Sequence, residues 1–145
     1  MGGIIMKCKE LQIWDWITDG HGFPMQITNV GDDYAYATFE GNEGEPWEFN
    51  DKDERPEPIE ITKELLEANG WVIDNYYSVK HNRNMDYYVR EEGSYNILWD
   101  NGTLSLFHND NSYYYDAVIP VKYVHQIQQV LRLAGITDMA NNFKI

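Results

Sequence analysis

Four histidines are the first residues to weigh for chemistry, because an imidazole exchanges a proton or takes a metal ion near neutral pH. His21 lies in the turn Gly20-His21-Gly22, His81 and His108 sit beside expected hairpin turns, and His125 falls on an expected helix. None has a second histidine four residues along a helix, the spacing by which zinc proteases hold their ion, and no cysteine accompanies them. A small hydrolase or metal enzyme would need His81 and His108 to converge at one end of a sheet, with Asp86 or Asp110 completing the site. Without that convergence they are surface histidines. The run Asp51-Lys52-Asp53-Glu54-Arg55-Pro56 is superficially like a calcium loop, but proline occupies the sixth place, where the sharp turn needs glycine. The single cysteine, Cys8, reads as a small apolar side chain near the first strand. No nucleophile elbow, phosphate loop or dinucleotide fingerprint occurs. The chain is therefore expected to be no enzyme, with no catalytic, cofactor-binding or metal residue assigned and no cofactor.

Contact residues are the better candidates. Trp14 with Trp16, Tyr34 with Tyr36, and Tyr113-Tyr114-Tyr115 could stack bases or hold a peptide. The same period-2 placement suits half-buried strands, and core packing is the preferred reading for most of them. Glu43, Glu45 and Glu48 lie in an acidic stretch, and His125, Gln128 and Arg132 form a polar row at helical spacing. That row either faces a partner or bonds neighbouring loops, the second being preferred. Trp14, Tyr34, Tyr36, Glu43, Glu45, Glu48, His125, Gln128 and Arg132 are thus the candidate partner-contact residues.

Charge narrows the partner. The 145 residues carry a net charge of −13, and the imbalance is concentrated: residues 1 to 60 hold fourteen acids against four bases, Lys7, Lys9, Lys52 and Arg55. Such a field repels phosphates and anionic membranes and attracts basic proteins, so neither nucleic acid nor a membrane is expected as a partner. A sharper form of the idea is that the acidic half imitates the phosphate array of DNA and occupies a basic DNA-binding protein. No stretch approaches the eighteen or so apolar residues of a membrane span, and the opening Met1-Gly2-Gly3-Ile4-Ile5-Met6 is too short for a signal peptide. With one cysteine, a cytoplasmic setting is expected.

The elements that must position these residues are mostly strands. Leu11, Ile13 and Ile17 mark a first strand broken near Trp14-Asp15, Met25 and Ile27 a second, Tyr34 to Phe39 a third and Trp47 to Phe49 a fourth. This spacing predicts a small SH3-like β-barrel over residues 1–57, which ends in a linker-like run from Asn50 to Pro58. Residues 58–145 are expected to form a helix over 61–69, an antiparallel meander of five strands over 71–119, and a helix over 121–134 packed on it. Asn101-Gly102 is the strongest turn signal. The fold class is α+β, and an exposed meander edge would let two copies pair as a homodimer.

The last helix carries the clearest pattern. In Val121 to Ile136, VKYVHQIQQVLRLAGI, an apolar stripe of Tyr123, Val124, Ile127, Val130, Leu131 and Ala134 opposes His125, Gln128, Gln129 and Arg132. Pro120 suits a helix start and Gly135 a helix end. Together with Glu10-Leu11-Gln12-Ile13, Asp15-Trp16-Ile17, Pro58-Ile59-Glu60-Ile61-Thr62 and Asn69-Gly70-Trp71, this segment resembles a family of small uncharacterised bacterial proteins often encoded by phages and mobile elements. Their blocks read "ELRIGNWV", "PIPLT…LLxxNGF" and "KYVHQLQNL". The resemblance implies phage or mobile-element origin and no activity. Trp14 stands where that family usually has glycine, which singles it out among the aromatics. The expectation is a non-catalytic accessory protein that contacts an unidentified, basic protein partner.

Overall fold

The computed structural model describes residues 6–39, 42, 44–92, 94–108 and 117–145. The chain divides into two compact units, residues 1–60 with 123–143 and 145, and residues 61–122 with 144. Both are α+β, each with one antiparallel sheet. The break after Glu60 falls close to the expected one after Glu57, but the last helix belongs to the first unit, not to the meander on which it was expected to pack.

In the first unit a 3-10 turn, Cys8–Glu10, precedes β1 (Trp16–Thr18), β2 (Pro24–Val30), β3 (Tyr34–Thr38) and β4 (Trp47–Asn50), paired in chain order. The alternation seen in the sequence sets the inner face: Ile17 opposes Met25, Ile27 opposes Ala37, and Ala35 opposes Phe49. These six pack with Met6, Cys8 and Leu11 as one core. A register shift between Ile27 and Asn29 marks a bulge in β2. The expected SH3-like barrel is not realised: the sheet stays open, with β1 and β4 as its edges.

Helix α2 (Val124–Leu133) packs on β1 and on a short helix, α3 (Thr137–Asn141), which the sequence pattern does not announce. It starts later than expected. Pro120 ends a strand, and the Gln126 side chain caps the Tyr123 N–H at 3.0 Å instead. Its end is as expected: Gly135 has φ +82°, Gly135 N–H reaches Arg132 O at 3.0 Å and Ile136 N–H reaches Leu131 O at 2.8 Å. Those two bonds satisfy the last carbonyls of the helix, and only glycine adopts the left-handed turn without strain.

The second unit holds α1 (Lys63–Ala68) and the meander β5 (Val72–Ser78), β6 (Arg83–Glu92), β7 (Tyr95–Asp100), β8 (Thr103–His108) and β9 (Ala117–Pro120), again in chain order. Thr62 caps α1 by accepting the Leu65 N–H at 3.2 Å. Asn101-Gly102 forms the β7–β8 turn with φ of 46° and 89°, the double positive φ of a tight hairpin. Tyr88 O–H donates to Glu67 at 3.5 Å and Arg90 donates to the Asn69 carbonyl, which tie α1 to the face of β6. Edge strand β5 is solvent-exposed over nearly its whole length, with Val72, Ile73, Tyr76 and Tyr77 all exposed.

Candidate functional site

The inner stripe of the first sheet runs past the buried core formed by the described residues. Phe23 precedes Met25 by two residues, Phe39 follows Ala37 by two, and Trp47 pairs with Ala37, so alternation puts all three on the core side. Phe23 is nonetheless 54% exposed and Trp47 42%. They wall a cavity of about 500 Å³ whose floor is the buried Met25 and whose rim carries Asp19, Asn42, Gly44 and Glu45. Phe23 and Phe39 meet at 5.3 Å between centroids with their planes tilted by 56°.

Two polar side chains hold these aromatics in place. Asp19 Oδ1 accepts the N–H groups of His21 and Phe23, each at 2.9 Å. Those donors hold the Asp19 carboxyl below its ordinary range, Phe23 contributing most, so it stays ionised at neutral pH. Asn42 Oδ1 accepts the Phe39 N–H at 2.6 Å, the Asn42 N–H returns to Phe39 O at 3.1 Å, and Glu45 N–H reaches Asn42 O at 2.9 Å. Three aromatic rings and the side chains of Asp19 and Glu45 therefore line one concave surface.

The expected contact residues divide between surface and interior. Tyr34 and Tyr36 lie on the outer face of β3 at 5.7 Å, edge to face, and Tyr36 O–H donates to Glu48 at 3.1 Å. That acceptor, and the charge it carries, raises the Tyr36 phenol above its ordinary value. Glu45 lines the cavity, and Glu43 lies outside the described residues. Trp14 is 48% exposed with φ +77°, a backbone that favours glycine.

The polar row of α2 faces inward. His125 and Gln128, set opposite the apolar stripe in the sequence, are buried. Gln128 Oε1 accepts Trp16 N–H at 2.9 Å, while its Nε2 donates to Trp14 O at 2.8 Å and Ala140 O at 3.0 Å. Gln129 donates to Glu10 O at 3.0 Å and Asp15 Oδ2 at 2.7 Å. Arg132 reaches Asp15 at 2.5 Å, Gln12 at 3.0 Å and Asn141 at 2.9 Å. The row is thus a clamp on the turn that presents Ile13 and Trp14, and Asp15, fully buried, is its anchor. Burial holds the His125 imidazole below its ordinary value, against the opposing charges of Asp15 and Glu10.

The hydrolytic arrangement is not assembled. His81 lies beyond the β5 end of the β5–β6 hairpin, next to Arg83, whereas His108 pairs with Tyr95, which pairs with Glu92 at the other end of β6. The length of β6, 10 residues, separates those ends by about 30 Å. Asp86 opposes Asn75 in mid-strand, and Asp110 lies outside the described residues, as do Tyr113, Tyr114 and Tyr115. Among the described residues no three His, Cys, Asp or Glu side chains are placed to hold a metal ion. Asp51 accepts the Cys8 N–H at 2.8 Å, and burial with that neighbouring carboxylate pushes the Cys8 thiol up to about 12. A thiol so protonated is a poor nucleophile.

Sequence reading missed Asp19, Phe23, Phe39 and Trp47 as one site because three separate segments contribute them. The available signal was Phe39 and Trp47 continuing the apolar parity of their strands beyond the core. Among the described residues, no helix is long and apolar enough to cross a membrane. No family model, curated protein or solved structure matches this chain.

Proposed function

We propose that this chain is a non-catalytic accessory protein that acts through protein contacts, with the aromatic, acid-rimmed cavity of its first unit as the contact surface. The cavity carries the reading: exposed Phe23 and Trp47 stand beside a buried floor, and Asp19 and Asn42 hold the backbone N–H groups of Phe23 and Phe39. Exposed aromatics with a pre-arranged backbone are what interfaces use as anchors, because little ordering remains to be done on binding. A role in a phage or mobile element, in the cytoplasm, belongs to the same proposal.

The competing reading, imitation of DNA phosphates, asks for carboxylates in a regular free array. Asp15, Asp19 and Asp51 instead accept hydrogen bonds inside the unit, and Glu48 accepts the Tyr36 hydroxyl. That favours contact at the cavity. The test is affinity capture from the native host, comparing the unaltered chain with Trp47→Ala and with Glu43, Glu45 and Glu48 all changed to Gln. A partner lost with Trp47→Ala is expected, and a partner retained by both variants would sink the reading. The exposed β5 edge favours a second copy as a further partner, since its outer backbone groups can extend the sheet. Sedimentation velocity that finds only monomer at high concentration would remove it.

A further inference from the structure

We infer that the occupant of the cavity is a basic side chain of the partner, an arginine in an otherwise uncharged stretch, seated against Trp47 between the carboxylates of Asp19 and Glu45. This rests on the cavity being a contact surface and adds what fills it. Charge complementarity selects the occupant. The described lining contains two acids and no base, and the first sixty residues, which supply all of it, carry fourteen acids against four bases. The rings of Phe23, Phe39 and Trp47 line the same space, and an aromatic face attracts a cation placed over it. A neutral apolar side chain would be satisfied by the rings but would leave the carboxylates to be desolvated without a partner. An anion would meet two like charges.

Arginine fits better than lysine for a geometric reason. A guanidinium is flat, stacks on an aromatic face, and offers donors in its own plane, so one group can stack on a ring and bond carboxylates together. An ammonium does each less completely and holds its water more tightly. The space of about 500 Å³ leaves the head group its water on the open side. Asp19 is already oriented to receive it, since Oδ1 is engaged by the two N–H groups, which fixes the plane of the carboxylate beside Phe23.

The test uses blocked pentapeptides Gly-Gly-Xaa-Gly-Gly with Xaa arginine, citrulline or norleucine, titrated into the full chain while the Trp47 indole N–H is followed by NMR. The arginine peptide is expected to shift that resonance saturably, with a Kd of about a millimolar, as one anchored side chain can supply. Citrulline, equal in shape but uncharged, is expected to bind at least about fivefold more weakly. Asp19→Asn keeps an oxygen for the loop N–H groups but removes the charge and puts an NH2 donor in place of the second oxygen. It and Glu45→Gln should each lower affinity about threefold, and raising salt should lower it further. Equal binding of norleucine and arginine overturns the inference, as does an arginine peptide that leaves the indole resonance unmoved. If the peptides fail while Trp47→Ala still abolishes host-protein capture, the cation assignment falls and the contact surface stands. Failure of the peptides with capture unaffected removes both.

Discussion

Trp14 combines an exposed indole with a backbone that suits glycine, φ +77°, and its N–H is bonded to Ile27 O at 2.8 Å. A side chain in the left-handed region costs about 1–2 kcal/mol, so the tryptophan is carried at some expense in stability. Trp14→Gly is therefore expected to unfold at higher urea than Trp14→Ala, by about 1 kcal/mol, because both lose the indole and only glycine relieves the φ. Equal stability of the two would mean that the positive φ is not kept. His125 makes a pH prediction. Its ordinary pKa is 6.5, and burial lowers it in the folded chain. As pH falls below 6.5 the unfolded chain takes up a proton that the folded chain refuses, so stability falls from neutral pH toward the folded pKa and no further on this account. The slope approaches about 1.4 kcal/mol per pH unit within that window. His125→Phe, which keeps a ring to stack on Tyr123, should flatten the pH dependence of the urea midpoint just below pH 6.5. An unchanged slope would assign the acid sensitivity to other groups.

At the scale of elements, α2 does more than bury its apolar stripe. Val124, Ile127 and Leu131 are buried as the periodicity requires, and the adjoining row grips the turn from Gln12 to Trp16. The segment from Glu10 to Trp16 and this helix are thus bonded to each other. Asp15 is the critical member, since a fully buried carboxylate needs its cation. Arg132→Ala is expected to cost about 3 kcal/mol, and Asp15→Asn in that background to recover part of it, because the second change removes the stranded charge. Urea unfolding of the four-member cycle measures this, and a cost below about 1 kcal/mol for Arg132→Ala would show the clamp to be dispensable. Which loops this row bonds was not legible in the helix alone: Gln128 and its partner Trp16 are 112 residues apart, and helical spacing says nothing of what arrives from so far away. Signals confined to a few residues were legible. Asn101-Gly102 and the Gly135 terminus each act through their own backbone. Pro120 was ambiguous because a proline suits both the edge of a sheet and the start of a helix, and here it ends a strand.

Across the whole molecule the governing quantity is charge. Strand parity was readable, but the cavity depends on where Phe23, Phe39 and Trp47 run beyond the covering layer, which parity cannot reveal. The concentration of acid in residues 1–60 was readable at once and has a consequence for stability as well as for binding. Among the described residues the ion pairs include Arg132 with Asp15, which is buried, and Arg90 with Glu92, which is half-exposed. Salt screens long-range repulsion among exposed acids far more than it weakens a buried pair. Raising sodium chloride from about 20 to about 500 mM is therefore expected to stabilise the chain, by on the order of 1 kcal/mol or several degrees in melting temperature. The same addition should weaken capture of an arginine peptide, so stability and binding move in opposite directions. A melting temperature that falls with salt would mean that attractive pairs outweigh the repulsion, and the excess of acid would then cost the fold nothing that a basic partner could relieve.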